Sequence, residues 1–138
     1  MSHTTHLFAG ILLITLVTVE LGGNFLLKIL RGTEKIAPGS PTHAYFRAGH
    51  AHAGVMVILA LVGMMYVDAI TLPDAVKMAV RCGLFAAPLL VAGGFFGGGA
   101  KVVDNKPAAL IVLVSVGGLV LAASLATLGV GLLLVANG

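Results

Sequence analysis

The chain has 138 residues, of which 59% are hydrophobic and only 9% charged, with a net charge of +3 and a mean hydropathy of +1.09. A soluble domain is about 45–50% apolar and about 25% charged, so this chain cannot clothe a water-facing surface. A soluble globular fold is excluded, disorder fails because there is too much to bury, and a single cysteine, Cys82, cannot build a disulfide scaffold.

What remains is a small polytopic membrane protein. A helix crossing the hydrocarbon core needs about 20 mostly apolar residues, and four stretches satisfy that. The first runs from Leu7 to Leu27 and carries Glu20 and Asn24. The second is apolar from Ala48 to Val67, and its helix is expected to begin at Ser40-Pro41, where serine caps free N–H groups and proline at the first helical position needs no donor. Thr71-Leu72-Pro73-Asp74 turns the chain into the third, Met78 to Ala100, which holds Pro88 and is expected to kink there. Asp104-Asn105-Lys106-Pro107 leads into the fourth, Ala108 to Ala136, which has no charge at all. The chain therefore reads as one domain over 1–138, an all-α transmembrane four-helix bundle with helices predicted over 7–30, 41–69, 74–100 and 107–136.

The N-terminus has no lysine or arginine, and its first apolar run is too long for a signal-peptide core, so the first helix is expected to stay in the membrane. Lys28, Arg31, Lys35, Arg47, Lys101 and Lys106 fall on one side of the bilayer, while Lys77 and Arg81 fall on the other. The positive-inside rule then places both termini outside a bacterial cytoplasmic membrane. Basic residues spread over loops in this way exclude nucleic acid as a partner and leave membrane lipid.

Ionisable groups at membrane depth are costly and mark function. Glu20 lies seven residues before Leu27, roughly 10 Å inside the boundary at the helical rise. Asn24, one turn on, shares its face. Glu20 reads either as a proton-, substrate- or cofactor-supporting carboxylate or as a protonated group joining helices by a hydrogen bond. The second helix carries Arg47-Ala48-Gly49-His50-Ala51-His52-Ala53-Gly54. His50 and His52 fall at a depth similar to Glu20. They are about 200° apart around the helix and cannot chelate one ion together. His43, Arg47, His50 and Gly54 share one face; Gly49, His52, Ala53, Met56 and Ala60 share another. Neutral imidazole is the commonest metal ligand and an axial ligand of haem iron, and the surrounding glycine and alanine leave room for a flat macrocycle.

The remaining polar and small residues have plainer readings. His3 and His6 read as part of a frayed terminus, and Cys82 as a small packing residue. Gly93-Gly94 and Gly97-Gly98-Gly99 around Phe95-Phe96 suit close helix packing. Ser115, Ser124 and Thr127 read as hydrogen-bonded to neighbouring helices or to their own.

Pro38-Gly39-Ser40-Pro41, then Arg47-Ala48, then Ala51-His52-Ala53-Gly54 leading into Val55-Met56-Val57-Ile58, resembles the styrene oxide isomerases, with a further likeness at Gly22-Gly23-Asn24-Phe25. The resemblance covers about half the chain. It implies a four-helix membrane protein, a homo-oligomer that is a trimer, and haem b held between subunits by an axial histidine. It also implies isomerisation of a small hydrophobic epoxide substrate to a carbonyl compound, with ferric iron as Lewis acid and no net redox change. Aligning on Arg-Ala puts the family histidine on Gly49; aligning on Ala-His-small-Gly puts it on His52, with His50 as the neighbouring choice. The resemblance thus implies a cofactor site of His52, His50, Gly49 and Ala53, with iron on His52 or His50. The family asparagine one to two turns later is absent, and its helix-three tyrosine is replaced by Phe95 or Phe96, so Glu20, Asn24 and Phe96 are the expected substrate contacts. Two competing expectations are an oligomeric proton-coupled transporter or channel, and an accessory subunit of a larger membrane complex, either using Glu20 with His50 or His52.

Overall fold

In a computed structural model, which describes residues 1–137, the chain forms four long helices: α1 (His3–Leu30), α2 (Pro41–Val67), α3 (Asp74–Ala100) and α4 (Val112–Ala136). All four are long and apolar enough to cross a membrane. Among the described residues there is no strand, only an isolated bridge between Val103 and Lys106. The architecture is an all-α bundle of membrane-spanning helices, the form lipid favours because each helix satisfies its own backbone.

Local chemistry sets the ends. Arg31 closes α1, and Gly32 follows at φ +72. The Gly32 N–H donates to the Ile29 carbonyl and the Thr33 N–H to the Lys28 carbonyl, each at 3.0 Å. This is the paired C-terminal cap that glycine permits. Ser40 caps α2 through its Oγ, which accepts from the His43 N–H at 3.3 Å, with Pro41 at the first position. After α3, Asp104 and Asn105 both take positive φ, 49 and 61, and Val103 and Lys106 exchange backbone hydrogen bonds across them. Two consecutive left-handed residues make a tight reversal of the hairpin type. A 3-10 turn at Ala109–Ile111 then leads into α4, so the regular helix begins at Val112 and not at the predicted 107. Helix α3 runs unbroken through Pro88, which is buried.

Helix α3 is the centre of the bundle. It packs along α2 on one side and α4 on the other, while α1 leans mainly on α2. Small residues make these approaches close. A Cβ on Gly94 would lie 2.7 Å from the Val114 backbone nitrogen, and one on Gly117 would lie 3.0 Å from the Ala87 carbonyl oxygen. A Cβ on Gly99 would collide with Tyr45, and one on Gly83 with the Ser124 hydroxyl. Ser124 and Thr127 donate to the carbonyls of Val120 and Ala123, each at 2.8 Å, so both are bonded within α4. The main core of Leu12, Val57, Ala60, Met64, Leu84 and Leu128 lies toward the end of the bundle that holds the N-terminus. Outside it, Leu13, Ile14, Val55, Leu119 and Leu133 present an apolar exterior suited to lipid.

The N-terminus is not frayed. Ser2 caps α1, with its Oγ accepting from the Thr5 N–H at 3.2 Å, and its own N–H donates to Asp68 at 2.6 Å. Asp68, just past α2, also pairs with Arg81 of α3 at 2.5 Å and accepts from the Thr5 hydroxyl at 3.1 Å. The Arg81 Nε donates to that same hydroxyl oxygen at 2.9 Å. One buried guanidinium thus binds the starts of α1 and α3 to the end of α2. Burial raises the Asp68 carboxyl, but hydrogen bonds from the Ser2 backbone, Arg81, Thr5 and the Ser2 hydroxyl outweigh it and hold the pKa at about 2.

Removing one member of such a buried pair strands the other, so Arg81→Met is expected to lower stability by about 3 kcal/mol, measured by unfolding in mixed detergent micelles. The Asp68 pKa is depressed in the folded state. Its contribution is therefore complete above its ordinary value of 3.8 and lost as pH falls through about 2. Wild type should weaken over that window, and Asp68→Asn should flatten the pH dependence.

Candidate functional site

The stretch of α2 from His43 to Gly54 carries three of the chain's five histidines, and packing against α3 sets its rotation. Gly49 is pressed against α3: a Cβ there would lie 3.0 Å from the Phe95 Cβ and 3.2 Å from the Phe96 ring. Ala53, Met56 and Ala60 continue that buried face. Gly49 is therefore a packing position, Ala53 faces the bundle interior beside His50, and neither shares an open cradle with His52. The reason is angular: Gly49 and Ala53 sit about 60° and 100° from His52 around the helix, enough for the contact with α3 to bury them and leave His52 outside.

With that face buried, the two histidines fall on opposite flanks. His52 is exposed on the outside of α2. Its Nδ1 lies 2.8 Å from the Ala48 carbonyl oxygen, which can only accept, so Nδ1 carries the proton and Nε2 keeps a free lone pair. Its ring packs against Phe95 at 4.9 Å between centroids, tilted by 35°. Ala44, Ala48 and Ala51 lie on the same side of α2, with exposed Val55 one turn further in. The surface around Nε2 is thus low and apolar, with the imidazole standing out from it. A neutral imidazole whose Nδ1–H is tied to a carbonyl is the arrangement in which proteins present Nε2 to a metal.

His50 is half-buried on the flank facing α1. Its nitrogen-bearing edge lies over Gly22 and Gly23, where added Cβ atoms would sit 3.4 Å from Nδ1 and 3.3 Å from Cε1. The glycine pair in α1 makes room for this ring. His50 lines a cavity of about 160 Å³ with Thr15, Thr18, Val19, Gly22, Ala53, Val57, Pro88, Leu89, Ala92 and Phe96. The Phe96 ring also meets Gly49 and lies 5.5 Å from that of Phe46, tilted by 57°, which in turn lies 6.0 Å from Phe25.

Glu20 and Asn24 are exposed on the outward face of α1. Neither makes a hydrogen bond or an ion pair with another described residue, and Glu20 does not line the His50 cavity. The structure therefore brings His50 and Phe96 together, places His52 on the other flank of α2, and leaves Glu20 and Asn24 apart from both. No group of three or more potential metal-ligating side chains occurs among the described residues.

Two features escape the local pattern. His43 is buried in the first turn of α2, where its Nδ1 accepts from the Gly39 N–H at 3.0 Å and its Nε2 has no partner. The Gly39-Ser40-Pro41 cap three residues earlier was the available signal. The cavity wall from Thr15 to Val19 had none beyond the glycine pair that follows it. No family model, curated protein or solved structure matches this chain.

Because Gly49 fills a contact rather than lining a site, Gly49→Val is expected to push α3 away at Phe95 and Phe96. Thermal unfolding in detergent should show a loss of about 2 kcal/mol, as for other overpacked contacts, whereas Gly10→Ala, in a helix interior with open space around it, should cause no loss.

Proposed function

We propose that the protein is a haem-binding integral membrane protein, with His52 as the residue that would hold the iron, that isomerises a small apolar epoxide to a carbonyl compound. One observation carries this: the His52 Nε2 is free on an exposed apolar face while its Nδ1 is held by the Ala48 carbonyl at 2.8 Å. The donor set fits the group. A single neutral imidazole suffices for axial ligation, and no cluster of ligands is needed. Phe95 fixes the ring plane, and Ala44, Ala48 and Ala51 let a flat macrocycle lie close to the helix.

Ferric haem, when bound, supplies a Lewis acid toward the oxygen of an epoxide. The chain's own residues do the rest. The Ala48 carbonyl fixes the histidine tautomer, Phe95 holds its orientation, and the alanines and Val55 keep water from the reacting face. The resemblance to the styrene oxide isomerases supports the epoxide as substrate, and an apolar face suits an uncharged molecule that reaches the site through the lipid.

A second observation bears on assembly. Glu20 and Asn24 stand exposed on α1 at membrane depth, a costly placement against lipid. A neighbouring chain that covers them removes that cost. The neighbour proposed is a second copy of this chain within a trimer.

Purified in detergent and supplied with haem, the wild type and His50→Ala should show a Soret band, and His52→Ala should lose it. Incubation of the haem-loaded wild type with styrene oxide should yield phenylacetaldehyde. A protein that stays colourless with added haem overturns the proposal, and a coloured protein without product retains the haem and removes the isomerase.

A further inference from the structure

The cavity beside His50 is unused by the proposal above. It lies on the opposite flank of α2 from His52, between α1, α2 and α3, and is half open, with Thr18 and Leu89 of its lining exposed. Its volume of about 160 Å³ is close to that of apolar cavities of about 150 Å³ that stay dry and take up benzene. The walls are Val19, Val57, Pro88, Leu89, Ala92 and Phe96. A charged guest would find no counter-charge there, because the nearest acidic residue in sequence, Glu20, does not line the space.

The polar groups of the cavity are few and their hydrogen-bonding capacity is asymmetric. The Thr15 hydroxyl donates to the Leu12 carbonyl and the Thr18 hydroxyl to the Thr15 carbonyl, each at 2.6 Å. Their protons are spent within α1. His43 and His52 each have a ring nitrogen engaged by the backbone, but His50 has no hydrogen-bond partner among the described residues. A neutral imidazole has one N–H donor and one acceptor nitrogen. The His50 N–H is thus the one side-chain donor lining the cavity that is not already committed.

We infer that this cavity is a second binding site, for a neutral benzene-sized molecule bearing one hydrogen-bonding oxygen. The apolar body fills the space between Val57, Leu89 and Phe96, and the oxygen accepts from the His50 ring. Gly22 and Gly23 serve the site by leaving the ring its position against α1. The inference does not depend on haem, since the cavity is formed within one chain and away from His52.

The test is photolabelling of the protein in liposomes with phenyldiazirine, with adducts mapped by mass spectrometry. The competitors are benzyl alcohol and ethylbenzene, a pair of nearly equal shape that differ by one oxygen, compared at equal concentration in the membrane. Adducts should concentrate on Val19, Val57, Ala92 and Phe96, and benzyl alcohol should protect them at roughly tenfold lower concentration than ethylbenzene, the worth of one good hydrogen bond. His50→Phe keeps a ring in place and should abolish that difference. Ala92→Leu fills the space and should remove the protectable adducts while leaving those on lipid-facing Leu13 and Leu119. Labelling no stronger in the cavity than at Leu13 and Leu119 overturns the inference. So does equal protection by the two competitors in the wild type, the result expected of a gap filled by acyl chains, or a benzyl alcohol advantage that survives His50→Phe.

Discussion

The bundle rests on the close approach of α3 to its neighbours. Between helices in lipid there is no gain from burying apolar surface, because the acyl chains are as apolar as leucine; association depends on shape and on the few polar contacts available. Helix α3 meets that constraint with glycine. Gly94 lies against the backbone of α4 at Val114, Gly99 against Tyr45 of α2, and Gly117 of α4 against Ala87 of α3. These contacts fix how α2 is turned. With Gly49 seated on Phe95 and Phe96, His50 must point toward α1 and His52 must stand outside. The chemistry available to the protein is therefore a consequence of where the small residues lie.

The polar contacts are divided between the two ends of the bundle. At the end holding the N-terminus, Arg81, Asp68, Thr5 and Ser2 form one network that joins three helices, and its members satisfy one another. Deeper in the membrane, His52 keeps a free Nε2, His50 has no partner among the described residues, and Glu20 and Asn24 face outward. Buried polar groups are normally paired. The network holds three helices together, while His50, Glu20 and Asn24 in the middle of the spans have no side-chain partner among the described residues.

Much of the fold is legible in the sequence. Four apolar stretches, the Ser40-Pro41 start and the Asp104-Asn105 reversal give the spans and turns, because length and cap chemistry are local properties. The angular separation of His50 and His52 is equally local. Rotation is not. Periodicity groups Gly49, His52 and Ala53 on one face of α2, but it does not say how wide a part of that face α3 covers, and the covered part takes Gly49 and Ala53 while leaving His52 out. Glu20 shows the same limit. Its depth follows from counting, but α1 is apolar nearly all round, so nothing local tells inside from outside. Arg81 reads as a charge at the membrane boundary, although its guanidinium is buried on partners up to 79 residues away in the chain. The same distant contacts secure an N-terminus that composition alone marks as frayed.

The central claim is that the exposed Nε2 of His52 is a ligand position. Cavity rescue tests it most directly: His52→Gly is supplied with haem in detergent, and its visible spectrum is followed as free imidazole is added. If His52 is the ligand, the glycine variant lacks the wild-type Soret band and imidazole restores it saturably, because the small base occupies the place the side chain left. A glycine variant that keeps the wild-type band before any imidazole is added would contradict the account.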